Sequence, residues 1–322
     1  MDIQTLIDNL TNPALLFFLL GILAVQIKSD LQIPENSSKF ISIYLLMSIG
    51  FKGGQELSHS GLNLEAVSSM GLGVFLAVAI PLVSFFILKR KLSIANAGAI
   101  AASYGSVSAV TFVTATSFLD FESVSFNGHM IAVMALMEAP AIIIGVLLIN
   151  YYKRSEGKDP SRLSRLLWHS VTNASVLLIL GSLLIGYLAT PAQAEGIKPF
   201  TTDIFEGFLV IFLLDMGIVS GKQLATIMRK GIYPFLFSSL MPFVHGLIAL
   251  AISMQITDQP GNQLLFAILG ASASYIAVPA AMKNAVPEAN PSLYLPMALG
   301  ITFPINVMVG IPFYYSLIVF TS

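Results

Sequence analysis

Long apolar runs separated by short polar stretches dominate the pattern along this chain. Each run is close to the roughly 20 residues that a helix needs to cross a bilayer core. Turn-forming stretches such as SHSGLN and TDQPGN lie between the runs. The pattern predicts an all-α integral membrane protein with ten transmembrane helices. The predicted spans cover approximately residues 13–27, 39–57, 64–88, 94–119, 127–152, 170–189, 200–224, 231–256, 261–283 and 291–320.

Composition supports this class and argues against several others. Hydrophobic residues make up 56% of the 322 residues and charged residues 10%, whereas a soluble domain has roughly 25% charged residues. The net charge of −1 gives no reason to expect nucleic-acid binding. The chain has no cysteine and no HExxH, Walker or GxSxG motif, so zinc, ATPase and serine hydrolase chemistry find no support. We expect a protein that is not an enzyme and has no resident cofactor.

The distribution of basic residues predicts the orientation in the membrane. Fourteen of the 16 Lys and Arg residues lie in or beside the loops that follow spans 1, 3, 5, 7 and 9. Cytoplasmic loops carry an excess of Lys and Arg, so both termini are predicted to lie on the non-cytoplasmic side. The first ten residues, MDIQTLIDNL, lack the basic residues of a secretory signal peptide. The first span is therefore predicted to be retained.

Three short motifs recur in the same order at a nearly constant spacing. GFKGGQEL at Gly50 returns as GIVSGKQL at Gly217, and SVS at Ser106 returns as SAS at Ser272. MEAP in span 5 returns as ITFP in span 10. The recurrence predicts two five-span repeats, 1–152 and 170–322, joined by a cytoplasmic linker at 153–169. An odd number of spans inverts the second repeat, an arrangement typical of secondary transporters.

Spans 4 and 9 carry small polar residues near their centres, where an uninterrupted helix favours large apolar residues. Unwound backbone is tolerated at that depth where it lines a cavity or is buried in protein. We therefore predict that spans 4 and 9 are discontinuous helices that cross, and that their positive half-helix ends form an anion site. The alternative is that Gly, Ala and Ser simply allow close helix packing. The matched positions in both halves favour the anion site.

Glu138 lies within the apolar string AVMALMEAPAII of span 5. Ionisable groups inside spans are costly and are functional candidates by default. The repeat pairs Glu138 with Thr302, and Asn306 follows, so the three residues are predicted to supply oxygen ligands for sodium. The alternative for Glu138 is a protonated carboxyl that caps a neighbouring helix. Asp215 is expected at an interface between helices or subunits, and the role of Lys52 stays open.

The strings around these motifs resemble a known family. GASASYIAVPAAMKNAVPEANPSLYLPMALGITFPIN, residues 270–306, and YGSVSAVT in the first half are similar to the sodium-dependent bicarbonate transporter family. The resemblance extends over essentially the whole chain. It implies two inverted five-helix repeats, usually assembled as a homotrimer, with a scaffold of spans 1, 2, 6 and 7 and a mobile core of spans 3–5 and 8–10. The chain departs from the family pattern at Ala109 and Val110, and Glu138 replaces an Asp.

The resemblance also implies a site. Bicarbonate would lie between the two helix breaks and sodium would be co-transported with it. A cytoplasmic PII-like regulator is implied as a partner, although the loop KRSEGKDPSRLSR is shorter than in cyanobacterial members. The substrate-binding residues implied for this chain are Gly105, Ser106, Val107, Ser108, Ser272, Ala273 and Ser274.

The sequence thus predicts a sodium-coupled symporter that imports a small anion, most simply bicarbonate, by elevator-type alternating access. Its predicted location is the cytoplasmic (inner) membrane of a bacterium, where lipid surrounds the spans. Three alternatives stay open: a sodium-coupled transporter of another small anion such as a monocarboxylate, a passive anion channel, and a membrane sensor or scaffold that does not transport. Helix ends recognise negative charge more readily than shape, so the sequence does not separate bicarbonate from other small anions.

Overall fold

The computed structural model describes residues 13–61, 63–153, 174–227 and 229–321. Helices are the regular secondary structure of these residues, and no strand occurs among them, so the prediction of an all-α chain is confirmed. The first half contains α1 (Pro13–Gln26), α2 (Glu35–Ser60), α3 (Leu64–Leu88), α4 (Ile94–Gly105), α5 (Ala109–Phe121) and α6 (His129–Tyr152). The second half contains α7 (Ala174–Leu188), α8 (Pro191–Lys198), a π-helical turn (Pro199–Asp203), α9 (Phe205–Ile227), α10 (Ile232–Ser253), α11 (Pro260–Ala271) and α12 (Ala277–Ala285).

The chain ends in a helical segment with two π-helical interruptions. Pro304 lacks the N–H that a regular helix needs at that position, so the backbone around it departs from α-helical bonding. This C-terminal segment runs through α13 (Pro291–Met297), a π-helical turn (Ala298–Thr302), α14 (Phe303–Ile305), a second π-helical turn (Asn306–Gly310) and α15 (Ile311–Thr321).

Each predicted span overlaps a helix or a pair of helices, and α3 has the predicted limits. Six helical segments in the described ranges are long and apolar enough to cross a membrane. They are Leu64–Leu88, Ile94–Phe121, His129–Tyr152, Pro191–Leu224, Ile232–Ser253 and Pro291–Phe320. The apolar helices Pro13–Gln26 and Val176–Leu188 are shorter, and α2 carries charged residues that lower its hydropathy. The count of ten spans therefore stays a prediction. The predicted linker and regulator loop lie outside the described residues apart from Lys153.

Two tight helix pairs use the glycines of the repeated GFKGGQEL and GIVSGKQL motifs. On α2, a Cβ added at Gly50 would lie 2.8 Å from the carbonyl oxygen of Ile179 on α7, and one at Gly54 would clash with the next turn of α7. On α9, a Cβ at Gly217 would clash with the Phe18 carbonyl on α1. Small residues spaced by four allow helix backbones to approach closely in membranes. Thus α2 of the first half packs on α7 of the second half, and α9 of the second half packs on α1 of the first half.

The interrupted helices lie at the centre of the molecule. Every residue of α4 from Ala97 to Gly105 is buried, as is every residue of α11 from Gly261 to Ala271. A helix that is apolar on all sides is typical of such a buried position. Gly105 abuts the ring of Pro81 on α3, and a Cβ there would clash with it. The surrounding helices α3, α6 and α10 therefore hold the inner ends of α4 and α11 in place.

Candidate functional site

Both predicted helix breaks are present, and they begin with the same backbone conformation. The first break, residues 106–108, separates α4 from α5, and Ser106 has φ −80° and ψ −179°. The second break, residues 272–276, separates α11 from α12, and Ser272 has φ −84° and ψ 169°. Extended backbone at these positions ends the helical hydrogen bonding and leaves N–H and C=O groups of the helix ends without helical partners. The prediction that these two helices are interrupted is confirmed.

The two breaks contact each other directly. The backbone N–H of Ser274 donates to the carbonyl oxygen of Ser103 at 2.8 Å, and the Ser103 hydroxyl donates to the carbonyl oxygen of Ser274 at 2.5 Å. The backbone N–H of Ser108 donates to the Ser272 hydroxyl oxygen at 3.1 Å. These three hydrogen bonds join the inner ends of four half-helices. The structure thus brings the two groups of predicted substrate residues together.

Three of the predicted serines have structural partners. The Ser108 hydroxyl oxygen accepts from the Thr111 N–H at 3.1 Å, which caps α5, and the Ser274 hydroxyl oxygen accepts from the Val278 N–H at 3.4 Å in the first turn of α12. The Ser272 hydroxyl donates its proton to the Leu269 carbonyl at 3.1 Å. A serine side chain has one proton to donate, so Ser272 is occupied as a donor. These hydroxyls therefore help to position the ends of the half-helices.

Ser106 differs from the other serines of the breaks. Its side chain is fully buried, and its hydroxyl has no hydrogen-bond partner among the described residues. A buried polar group without a partner is costly, and in native proteins it calls for an explanation such as a ligand. The neighbouring predicted residues Val107 and Ala273 are buried as well. The junction therefore holds one hydroxyl without a partner among the described residues, near the N-termini of α5 and α12.

The three residues predicted to bind sodium occupy different surroundings. The Thr302 hydroxyl donates to the Ser238 carbonyl on α10 at 2.9 Å and lies 2.7 Å from the Tyr104 hydroxyl on α4. The Asn306 amide donates to the carbonyl oxygen of Ala271, the last residue of α11, at 2.8 Å. Glu138 on α6 is buried.

Thr302 and Asn306 thus contact the inner ends of the two interrupted helices. No hydrogen bond or ion pair of the described chain links the Glu138 carboxylate to either of them. That these three residues form one sodium site stays a prediction.

Comparison with known protein families shows to which family the chain belongs. Residues 13–319 match the model of the Na⁺-dependent bicarbonate transporter superfamily. The chain belongs to this superfamily. The predicted resemblance is confirmed, and the family is one of membrane transporters, which are not an enzyme class. No curated protein matches the chain.

Sequence reasoning missed two residues at the junction of the two breaks. Ser103 forms the reciprocal contact with Ser274, and Tyr104 contacts Thr302. Both residues directly precede the predicted Gly105–Ser108 string, so their position in the chain was an available signal. Their roles were not visible because each depends on a partner that lies more than 160 residues away.

Asp215, expected at an interface, and Lys52, whose role the sequence left open, both join helices. The Ser38 hydroxyl on α2 donates to the Asp215 carboxylate on α9, in agreement with a role between helices. The Lys52 ammonium lies 3.9 Å from the Asp120 carboxylate on α5 and 5.4 Å from the centre of the Phe205 ring. These residues border a cavity of about 200 Å³ between α2 and α5. A partly exposed ion pair of this kind contributes little to stability.

Proposed function

We propose that this protein is a sodium-coupled symporter that imports a small anion, with bicarbonate as the favoured substrate. One observation carries the proposal: the inner ends of two interrupted helices meet, and the Ser106 hydroxyl at their junction has no partner among the residues that the structure describes. The positive ends of α5 and α12 begin at this junction, and helix N-termini bind anions through backbone N–H groups. The substrate would thus be held between Gly105–Ser108 and Ser272–Ser274.

The proposed mechanism is elevator-type alternating access by two inverted repeats of five spans, residues 1–152 and 170–322, joined by the linker 153–169. The scaffold would consist of α1, α2, α7 and α9, and the mobile core of α3–α6 and α10–α15. The two glycine-mediated pairs, α2 with α7 and α9 with α1, support this division because they relate the same elements of both halves. Both pairs join scaffold helices to each other, so movement of the core would leave them intact.

Sodium would act at Glu138, Thr302 and Asn306. Two contacts support a link between this ion and the anion site. Asn306 binds the carbonyl of Ala271, next to the second break, and Thr302 contacts Tyr104, two residues before the first break. Sodium bound to these oxygen atoms would reorganise the inner ends of α4 and α11 and offset the charge of the incoming anion. Loading of both solutes would then precede movement of the core.

The family match and the distribution of Lys and Arg support the proposed setting of the protein. We infer a multi-pass protein of the bacterial cytoplasmic membrane with both termini on the non-cytoplasmic side. The resemblance to the family also supports assembly as a homotrimer and regulation by a cytoplasmic PII-like protein. Chemical cross-linking in native membranes tests the trimer, because three subunits give a cross-linked species of three times the mass of one chain.

Uptake of labelled bicarbonate into proteoliposomes tests the proposed function. We expect uptake that depends on an inward sodium gradient, measured in alkaline buffer so that the label stays as bicarbonate, with potassium and valinomycin to hold the membrane potential. Flux that is equal with and without sodium would indicate a channel and contradict the symporter. Sodium-dependent uptake of acetate without uptake of bicarbonate would keep the coupling and assign a different anion.

A further inference from the structure

Tyr104, in the last turn of α4, belongs to a buried chain of hydrogen bonds. Its hydroxyl lies 2.7 Å from the hydroxyl of Thr302 in the C-terminal segment, and the Thr302 hydroxyl donates to the Ser238 carbonyl of α10 at 2.9 Å. All three residues are buried. Hydrogen bonds are electrostatically stronger in such an interior than in water. The end of α4 is thus joined to α10 through Thr302.

The direction of these bonds follows from the protons that each group carries. A threonine hydroxyl has one proton and two lone pairs. The Ser238 carbonyl can only accept, so it takes the Thr302 proton, and the Tyr104 hydroxyl donates to the Thr302 oxygen. One lone pair of that oxygen takes part in neither bond and suits a cation. Sodium at Thr302 would therefore bind the same oxygen atom to which Tyr104 donates.

The ring of Tyr104 is held by α10. It packs edge-on against Phe237, with ring centres 5.1 Å apart and an interplanar angle of 81°. Edge-on aromatic pairs favour a defined orientation. Phe237 directly precedes Ser238, which accepts the Thr302 proton. Neighbouring residues of α10 thus hold both partners of the Tyr104–Thr302 bond, so the position of one hydroxyl relative to the other is well defined.

This hydrogen bond lies close to the first break along the chain. Tyr104 precedes Ser106 by two positions, and the Ser106 N–H still donates to the Ala102 carbonyl of the last turn of α4 at 2.9 Å. A shift of Tyr104 therefore moves the backbone that presents Ser106. The second break has a similar link, because the Asn306 amide donates to the carbonyl of Ala271. The C-terminal segment thus contacts α4 and α11 just before each break.

We propose that Tyr104 is the positioning residue through which sodium at Thr302 favours binding of the anion at the first break. With sodium bound, the Tyr104–Thr302 bond holds the end of α4 so that the Ser106 hydroxyl and the N-terminus of α5 face the anion. Without the Tyr104 hydroxyl both solutes still bind, but each affects the affinity of the other less. This inference rests on the proposed function, because it assigns the coupling of the two solutes to one hydrogen bond.

Equilibrium binding to the purified full-length protein tests this role. The readout is the Kd of labelled sodium without bicarbonate divided by its Kd with saturating bicarbonate, which is the coupling factor. We expect a factor of roughly ten or more for the wild type and of less than roughly three for Tyr104→Phe, which keeps the ring and removes the hydroxyl. The sodium Kd without bicarbonate should stay unchanged in this variant, because Tyr104 is not a proposed ligand of the ion.

Tyr314→Phe is the matched control. Like Tyr104, Tyr314 is buried and has its hydroxyl on α10, where it donates to the Pro242 carbonyl at 3.3 Å, but it belongs to α15 and not to an interrupted helix. We expect the two phenylalanine variants to lower the unfolding temperature alike. Only Tyr104→Phe should lower the coupling factor, which separates a role in coupling from a loss of stability.

Variants of the two partners of Tyr104 complete the set. Thr302→Ser keeps the hydroxyl and should keep the coupling factor, whereas Thr302→Val removes a proposed ligand and should raise the sodium Kd even without bicarbonate. Phe237→Leu replaces Tyr104→Phe if that variant does not fold. It removes the contact that fixes the ring and leaves every hydroxyl in place, and we expect it to lower the coupling factor as well.

The outcomes separate this inference from the proposed function. A wild-type coupling factor in folded Tyr104→Phe, or in Phe237→Leu where that variant replaces it, would overturn the inference and leave the symporter standing. An equal loss of coupling in Tyr314→Phe would also overturn it, because the effect would then not be specific to this bond. If the wild-type protein shows no sodium-dependent bicarbonate uptake and no effect of bicarbonate on sodium binding, the proposed function fails and the inference fails with it.

Discussion

Ser103 and Ser274 hold each other by two reciprocal hydrogen bonds, although 171 positions separate them in the chain. The Ser274 N–H donates to the Ser103 carbonyl at 2.8 Å, and the Ser103 hydroxyl donates to the Ser274 carbonyl at 2.5 Å. The first bond could not form if α11 continued as a regular helix, because the Ser274 N–H would then donate to the carbonyl of Gly270. The pair therefore ties the inner ends of both interrupted helices into one unit.

This relationship predicts a stability effect. Ser103→Ala leaves the buried Ser274 carbonyl without its hydroxyl donor, and we expect a loss of about 1–3 kcal/mol in the free energy of unfolding. Thermal unfolding in detergent micelles measures the effect. Ser69→Ala is the control, because the Ser69 hydroxyl is buried without a partner among the described residues, so its removal leaves none of their groups unpaired. Equal unfolding temperatures for the two variants would contradict the importance of the pair.

Substitution of Ser106 should affect transport without affecting stability. Its hydroxyl has no partner in the described protein, so Ser106→Ala removes no internal contact. We expect the KM for the anion to rise roughly tenfold or more, since a hydrogen bond to a charged group contributes about 1.5–3 kcal/mol. Uptake kinetics and thermal unfolding of the same preparation test this. An unchanged KM would assign the serine to helix packing.

Ser272→Ala is the informative comparison. Its hydroxyl bridges the Ser108 N–H and the Leu269 carbonyl, so its loss should lower stability as well as transport. We expect Ser106→Ala and Ser272→Ala both to raise the KM, and only Ser272→Ala to lower the unfolding temperature. That result would show that the Ser272 hydroxyl stabilises the fold and that the Ser106 hydroxyl does not. Identical losses of stability in both would contradict the distinction.

The glycine-mediated pair of α2 and α7 predicts a strong effect on folding. A Cβ at Gly54 would clash with the Leu183 carbonyl, which is backbone and has little room to move. We expect Gly54→Ala to separate the two helices and to reduce the fraction of protein that elutes as a folded peak in detergent. Gly181→Ala on α7 is the control, because a Cβ there meets nothing within 4 Å. Normal folding of Gly54→Ala would show that the helix pair tolerates a wider separation.

Sodium dependence should change when the Glu138 carboxylate is neutralised. Glu138→Gln keeps the size of the side chain and removes its charge, so we expect a folded protein whose bicarbonate uptake no longer responds to sodium. The initial rate as a function of external sodium concentration checks this. The exposed Glu195→Gln substitution should leave the sodium response intact. Retention of the wild-type sodium response by Glu138→Gln would remove this residue from the ion site.

The breaks were predictable from the sequence because small polar residues are conspicuous where long apolar runs surround them. Ser106 and Ser272, which the repeat matched, both begin a break with extended backbone. The lengths of the breaks differ, however, because α12 begins only at Ala277 whereas α5 begins at Ala109. Where each half-helix begins depends on its packing against distant helices. The residues of the break alone do not reveal that packing.

The different roles of the serine hydroxyls were less predictable from the sequence. Ser108 caps α5 and the Ser274 hydroxyl accepts from Val278 N–H in the first turn of α12, while Ser106 has no partner among the described residues. All three have the same side chain and lie among similar neighbours in the sequence. Pairing by repeat also related Glu138 to Thr302, but equivalence in two repeats does not imply contact. Thr302 instead contacts Tyr104 and Ser238, and these partners come from distant helices.

Reciprocal coupling in proteoliposomes tests the central claim most directly. A symporter that couples two solutes must allow a gradient of either one to drive the other. We predict that an inward bicarbonate gradient drives accumulation of labelled sodium above its equilibrium distribution, with the membrane potential clamped, and that Ser106→Ala weakens this accumulation. Sodium that only equilibrates, whatever the bicarbonate gradient, would contradict coupled transport through the junction of the two breaks.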